Sequence, residues 1–156
     1  MIGFGGIAGH TFIGLHEAEN SYFHRAMCAQ DYSAVTAACM MTKAEVFRQA
    51  GGFTEELAVA FNDIDYCMKV RALGKLVVYA PYAVMHHYES KSRGLEDTPE
   101  KVARFNREVA VFARRWPDIL KNGDPYYNPN LTLRKSNFAL RDLLKEKIGE
   151  PYKLEG

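Results

Sequence analysis

The chemistry-bearing residues of this chain concentrate between positions 34 and 94. Asn62-Asp63-Ile64-Asp65 sets two carboxylates within one turn, where the flanking sequence predicts a helix to start. A carboxylate there can take a proton from a substrate hydroxyl if it is ionised and within hydrogen-bond reach. The free amides of a helix start favour its ionised form. The pair also has a purely structural reading, because Asn62 is a good N-cap and acids in a first turn complement the helix dipole by about 0.3–1 kcal/mol each. His86-His87 ends a strand-like run and precedes Glu89, which could form part of a metal site. Successive side chains on a strand point to opposite faces, so at most one of these imidazoles faces a shared cleft. A hydrogen-bonded histidine at a strand end is the structural alternative. Arg93, in the polar loop 89–94, carries the fork of donors that clamps a diphosphate, or is a solvated loop arginine. Thr36 is a polar residue within the apolar run 34–41 and is placed to face a site. A metal hydrolase built on Asp63, Asp65, His86 and His87 fits the residue types but has no recognised ligand spacing.

The elements that must position these residues follow from local signals. With 156 residues, 47% of them hydrophobic, the chain fits one domain with a real core. Twenty Lys+Arg against nineteen Asp+Glu leave a net charge of +1, so no global field points toward nucleic acid or an anionic membrane. Cys28, Cys39 and Cys67 lack C-x-x-C spacing and have apolar neighbours, which predicts reduced, buried thiols and a cytosolic setting. Residues 1–15 are apolar but interrupted by Gly3, Gly5, Gly6, Gly9 and Gly14, and support neither a signal peptide nor a membrane span. The glycines miss G-x-G-x-x-G at Ala8, and the segment reads as a loop. Residues 34–41 read as a buried strand. Thr42 with Glu45 predicts a capping box for a short helix ended by Gly51-Gly52. A second helix starts near Asn62, buries Ile64, Cys67, Met68 and Val70, and stops at Gly74 before a strand over 76–79. Residues 81–87 read as extended chain. Thr98-Pro99 opens the longest helix, whose Val102, Phe105, Val109, Phe112 and Trp116 mark a core-bound face. The chain then turns irregular after Pro117, and Ser136 caps a last amphipathic helix carrying Leu140, Leu143 and Leu144. Strands mixed with helices indicate an α/β layer protein, with few strands for a free-standing doubly wound sheet.

Taken in order, Ala34-Val35-Thr36-Ala37-Ala38-Cys39, Gly51-Gly52-Phe53-Thr54-Glu55, Phe61-Asn62-Asp63-Ile64-Asp65-Tyr66-Cys67, Pro81-Tyr82-Ala83, and His87 with Glu89-Ser90-Lys91-Ser92-Arg93-Gly94 resemble bacterial family 2 glycosyltransferases. The likeness is to the rhamnosyltransferase-like branch that builds O-antigen and other cell-surface polysaccharides, and it runs from Gly3 to Leu131. It implies an α/β fold, specifically a partial GT-A fold with a small mixed sheet and flanking helices. Residues 1–149 would be the C-terminal, acceptor-binding half of the catalytic domain, and 150–156 a frayed tail.

The resemblance also implies an inverting transfer from a nucleotide-diphospho-sugar to a glycan acceptor. Asn62-Asp63 falls on the family's acid-Asp pair, which makes Asp63 the general base although Asn replaces the first acid. Asp65 is a second contributor to substrate binding. His87 matches the histidine that helps hold Mg²⁺ or Mn²⁺ under the diphosphate, and Arg93 matches a loop that folds over the donor. Thr36, Tyr126 and Tyr127 join the substrate-binding set, the tyrosines by stacking on sugar faces or as packing residues. The family's D-x-D metal motif and nucleotide-binding half have no counterpart here, so the resemblance implies a missing N-terminal partner half, weak or absent metal binding, and little activity of the chain alone. Phe112 stands where the Q-x-x-R-W motif of processive synthases has Gln, which argues against processivity. Expected partners are the donor and acceptor, with no nucleic acid; self-association through an uncovered apolar face and peripheral contact with the inner membrane face are also expected. The alternative from another class is a non-catalytic carbohydrate-binding or assembly module derived from a truncated glycosyltransferase.

Overall fold

The computed structural model describes residues 1–16, 19–88 and 98–146. In chain order it contains β1 (Gln30–Asp31), α1 (Ala44–Gln49), α2 (Asn62–Ala72), β2 (Val78–Tyr79), α3 (Pro99–Arg115) and α4 (Pro117–Asn122), with short 3-10 turns at Phe4–Gly6, Tyr22–Met27 and Ala37–Cys39. The fold is small and mixed α/β. Among the described residues its sheet is a single antiparallel pair, Gln30 opposite Tyr79 and Asp31 opposite Val78. The expected small sheet is therefore smaller still, and it contains no parallel pair.

Helix ends form where the local chemistry dictates. Ala50 and Leu73 are followed by Gly51 at φ 74° and Gly74 at φ 71°, the left-handed conformation that glycine adopts without a Cβ clash. At each end the next amide reaches back five residues, Gly52 N–H to Phe47 O and Lys75 N–H to Val70 O, completing a Schellman cap. Thr98 caps α3 by accepting the Lys101 N–H at 3.4 Å, with Pro99 in the first helical position.

The core is where α2 meets α3. Tyr66, Cys67, Met68 and Val70 of α2 pack with Leu57, Val77 and Phe112, the last fully buried at 0% exposure. Burying such side chains contributes about 1.5–3 kcal/mol apiece. Phe47 and Phe53 lie against the Tyr66 ring, each with centroids 5.4 Å from it. Among the described residues, no helix is long and apolar enough to cross a membrane.

Several expectations are corrected. Residues 34–41 are not a strand; pairing falls just upstream, and Thr36 instead caps the 3-10 turn Ala37–Cys39. Thr42 does not cap α1, because its hydroxyl shares a 2.8 Å hydrogen bond with the Tyr66 phenol, and Lys43 stands at the cap without a side-chain bond. Asn62 is the first residue of α2 rather than its cap, which is Phe61 in the left-handed region. Ile64 is half-buried. Only the C-terminal turns of α3 enter the core, since Val102 and Phe105 are exposed. Pro117 starts α4 rather than an irregular run. Leu140 bridges Leu131 in extended pairing, and Leu140, Leu143 and Leu144 face solvent, so the described residues after Ser136 form no helix. Cys67 alone is a buried thiol, whereas Cys28 and Cys39 are exposed. Leu76, Val78, Tyr82, Val84, Met85 and Tyr88 present apolar side chains to solvent along the chain through β2.

Candidate functional site

A cavity of about 400 Å³ opens at the start of α2. Its walls come from the N-terminal segment (Ile2, Gly9, His10, Thr11), the stretch after β1 (Tyr32, Ala34, Val35, Thr36), the turn before α2 (Val59, Phe61), and Asp63 and Ile64 on α2. Tyr79 of β2 closes the aromatic side, 6.0 Å edge-on from Tyr32. The lining thus combines aromatic and aliphatic surface with a few polar groups, the composition of a small-molecule site.

Asp63 is half-buried on this wall. One of its oxygens accepts the Ile64 N–H at 2.8 Å, and the other accepts the Ala37 N–H at 3.0 Å. The second bond fixes the carboxylate against the 3-10 turn that Thr36 caps, so Thr36 and Asp63 share one corner of the cavity. A carboxylate held by amide donors keeps lone pairs for a further partner. Below that corner, the Cys67 thiol donates to Val35 O at 3.7 Å, and burial pushes its pKa up to about 11, leaving it neutral and unreactive. Burial, followed by the neighbouring Tyr32, also raises the Tyr79 phenol, whose hydroxyl donates to Ala26 O at 2.9 Å.

Asp65 does not line the cavity. Its carboxylate is 0% exposed and points to the α3 side, accepting from Thr54 Oγ1 at 2.7 Å and from Arg115 Nε and Trp116 Nε1 at 2.8 Å each. Lys69 Nζ stands 3.1 Å away. Burial would raise this carboxyl, but the bonds from Thr54, Trp116, Arg115 and Lys69 outweigh it and hold the group below the usual carboxylate range. Four donors thus surround the Asp65 carboxylate, two on each oxygen.

The remaining sequence-predicted residues lie elsewhere. His86 and His87 are exposed and outside the cavity lining. Arg93 and Glu89 fall outside the described residues. Tyr126 and Tyr127 are half-buried and away from the cavity: the Arg71 guanidinium lies 5.2 Å over the Tyr126 ring, and the Tyr127 hydroxyl donates to Thr132 O at 2.8 Å. Burial pushes the Tyr127 phenol up to about 12. Among the described residues, no three His, Cys, Asp or Glu side chains converge on a common point.

Sequence reasoning overlooked three residues that shape the site. His10 lines the cavity. Asp124 accepts the Ile2 N–H at 2.9 Å, the Ser33 hydroxyl at 2.6 Å and the Tyr126 N–H at 3.0 Å, tying the N-terminal wall to the stretch after β1. Glu108 is 2% exposed and accepts the Val59 and Ala60 amides at 3.2 and 2.7 Å. An acid on the same helical row as the buried Phe112 was the available signal for Glu108, because a carboxylate on a core-facing stripe requires dedicated donors.

No family model matches the chain. It is 53% identical over 142 residues to the uncharacterized protein y4gI of Sinorhizobium fredii, an alignment covering 90% of this chain and 15% of that protein. It is 35% identical over 142 residues to the O-antigen biosynthesis protein RfbC of Myxococcus xanthus, covering 90% of this chain and 11% of that protein. The chain thus spans between 11% and 15% of the length of these relatives. No solved structure matches it.

Proposed function

We propose that this chain is the acceptor-side part of an inverting, family 2 glycosyltransferase acting in bacterial cell-surface polysaccharide synthesis, with Asp63 as its general base. The observation that carries this reading is the Asp63 carboxylate on the wall of a cavity of about 400 Å³, oriented by the Ala37 and Ile64 amides. The relationship to an O-antigen biosynthesis protein supports the substrate class.

The chemistry is a single displacement. An acceptor sugar hydroxyl enters the cavity, whose lining includes Tyr32 and Phe61 as aromatic surface for the sugar's apolar face. Asp63 takes the hydroxyl proton as the oxygen bonds to the anomeric carbon of the donor, and the bond to the nucleoside diphosphate breaks on the opposite side with its electron pair. Thr36, beside Asp63, orients the same hydroxyl. Arg93 is assigned to the leaving diphosphate, and His87 to a metal site completed by ligands from outside the described residues. In this reading the chain works on the cytoplasmic side, in peripheral contact with the inner face of the membrane, and alone has little activity.

Transfer from nucleotide-sugar donors in the complete protein tests this reading. Asp63→Asn lowers turnover by about 10²–10⁴-fold, the usual contribution of a general base. Unchanged turnover removes Asp63 from the mechanism. Saccharide binding that depends on the cavity, without transfer by the complete protein, would instead establish the binding-module reading.

A further inference from the structure

Glu108 has a buried carboxylate that no step of the proposed reaction uses. It lies on α3, 2% exposed, with Arg104 Nε 3.8 Å from one of its oxygens. Burying a carboxylate is unfavourable unless its lone pairs are engaged, and an apolar side chain at this position would be easier to bury. What Glu108 provides instead is two acceptors for one turn of chain: Oε1 takes the Val59 N–H at 3.2 Å and Oε2 takes the Ala60 N–H at 2.7 Å. That turn is the cavity wall, since Val59 and Phe61 both line it. It also ends in backbone strain. Phe61 holds φ 63°, a left-handed conformation that a bulky side chain adopts only when its surroundings enforce it. From Phe61 the helix starts, with the Asp65 N–H donating to Phe61 O at 2.8 Å, and Asp63 stands in the turn so defined.

We propose that Glu108 is a positioning residue for Asp63: by pinning the Val59 and Ala60 amides it holds the turn before α2, so that α2 begins in the register that sets the Asp63 carboxylate against the Ala37 amide and toward the cavity. The inference rests on the reading of Asp63 as the working carboxylate. Its test does not require activity, because the Ala37 amide donates to Asp63 and reports where that carboxylate sits, whereas Glu108 accepts from the Val59 and Ala60 amides.

The experiment is amide-resolved NMR and hydrogen exchange on the chain with Glu108→Ala and with Glu108→Gln. In Glu108→Ala, the Val59 and Ala60 amides should exchange about 10-fold faster or more, and the Ala37 and Ile64 amide resonances should move with them. Glu108→Gln keeps the shape and one acceptor oxygen, so it should restore the Ala60 amide and return Ala37 partway to its original position. If Glu108→Ala fails to fold, the Gln variant carries the test by itself, its Ala37 resonance moving to a position distinct from the parent's. Loss of protection at Val59 and Ala60 with Ala37 and Ile64 unmoved in the folded variants would overturn the proposal and leave Glu108 as a simple partner for two buried amides. Retained turnover in Asp63→Asn, by contrast, would refute the base assignment without touching this coupling, so the two failures are distinguishable.

Discussion

Asp63 and Asp65 are two residues apart in the first turn of α2, and they face different parts of the molecule. Asp65 is closed: 0% exposed, bonded to side chains from the 54 turn, α2 itself and the end of α3. Asp63 is open: its bonds come from two backbone amides, and it is half-buried in the cavity lining. The difference shows that helical rotation alone can send two neighbouring acids to different surroundings. Residues two apart on a helix are about 200° apart around its axis, so one acid can lock the helix into the core while the other faces a site.

The sharpest break of this comparison is Asp65→Ala. It leaves the Arg115 and Lys69 charges and the Trp116 N–H without their shared acceptor, and breaking a buried ion pair in this way typically costs about 3–5 kcal/mol. Chemical denaturation should show that loss; a change under 1 kcal/mol, well below that range, would mean the network is decorative. The pH dependence has a defined sign. The folded carboxyl titrates below its unfolded value of about 3.9, so its stabilisation is complete above that pH and lost as pH falls through the folded pKa. The parent should therefore lose stability below about pH 4 more steeply than Asp65→Ala.

Next in size is Thr54→Val. The Thr54 hydroxyl donates to Asp65 at 2.7 Å and accepts from Lys69 Nζ at 2.7 Å, so its removal disrupts two hydrogen bonds to charged groups while preserving the side-chain shape. Bonds of this type contribute about 1.5–3 kcal/mol each, and partial rebonding of Lys69 to Gly52 O should keep the measured loss near about 2 kcal/mol. A loss equal to that of Asp65→Ala would show that Thr54, rather than the acid, organises the cluster.

The sequence revealed what is local and concealed what is distant. Thr98-Pro99, Gly74 and Gly51-Gly52 announce helix ends because caps are made by neighbouring residues. The division between Asp63 and Asp65 depends on Arg115 and Trp116, 50 and 51 residues away from Asp65, and on Ala37, 26 residues from Asp63. No window of sequence contains those partners. The bond between Ile2 and Asp124 spans 122 residues, and without it the N-terminal wall of the cavity has only the local pattern of a glycine-rich loop. The leucines at 140, 143 and 144 failed for the opposite reason. Their spacing is helical, but the Leu131–Leu140 bridge draws the chain into extended pairing, and tertiary pairing overrides periodicity.

The smallest stability effect should belong to Asp63→Asn, and its smallness is informative. Asn keeps one carbonyl oxygen, which can accept either the Ala37 or the Ile64 N–H, and its amide group can point into a cavity that already admits solvent-sized groups. Asn that keeps the Ile64 bond leaves over the Ala37 N–H, which lies in an exposed 3-10 turn where water can replace the bond at little cost. The expected loss is at most about 1 kcal/mol, measured by the same denaturation series as Asp65→Ala. Set beside a turnover loss of about 10²–10⁴-fold in the complete protein, that outcome would place the worth of Asp63 in chemistry and that of Asp65 in folding. Two variants of equal and large instability would instead mean that Asp63 is a second structural acid whose place on the cavity wall is incidental.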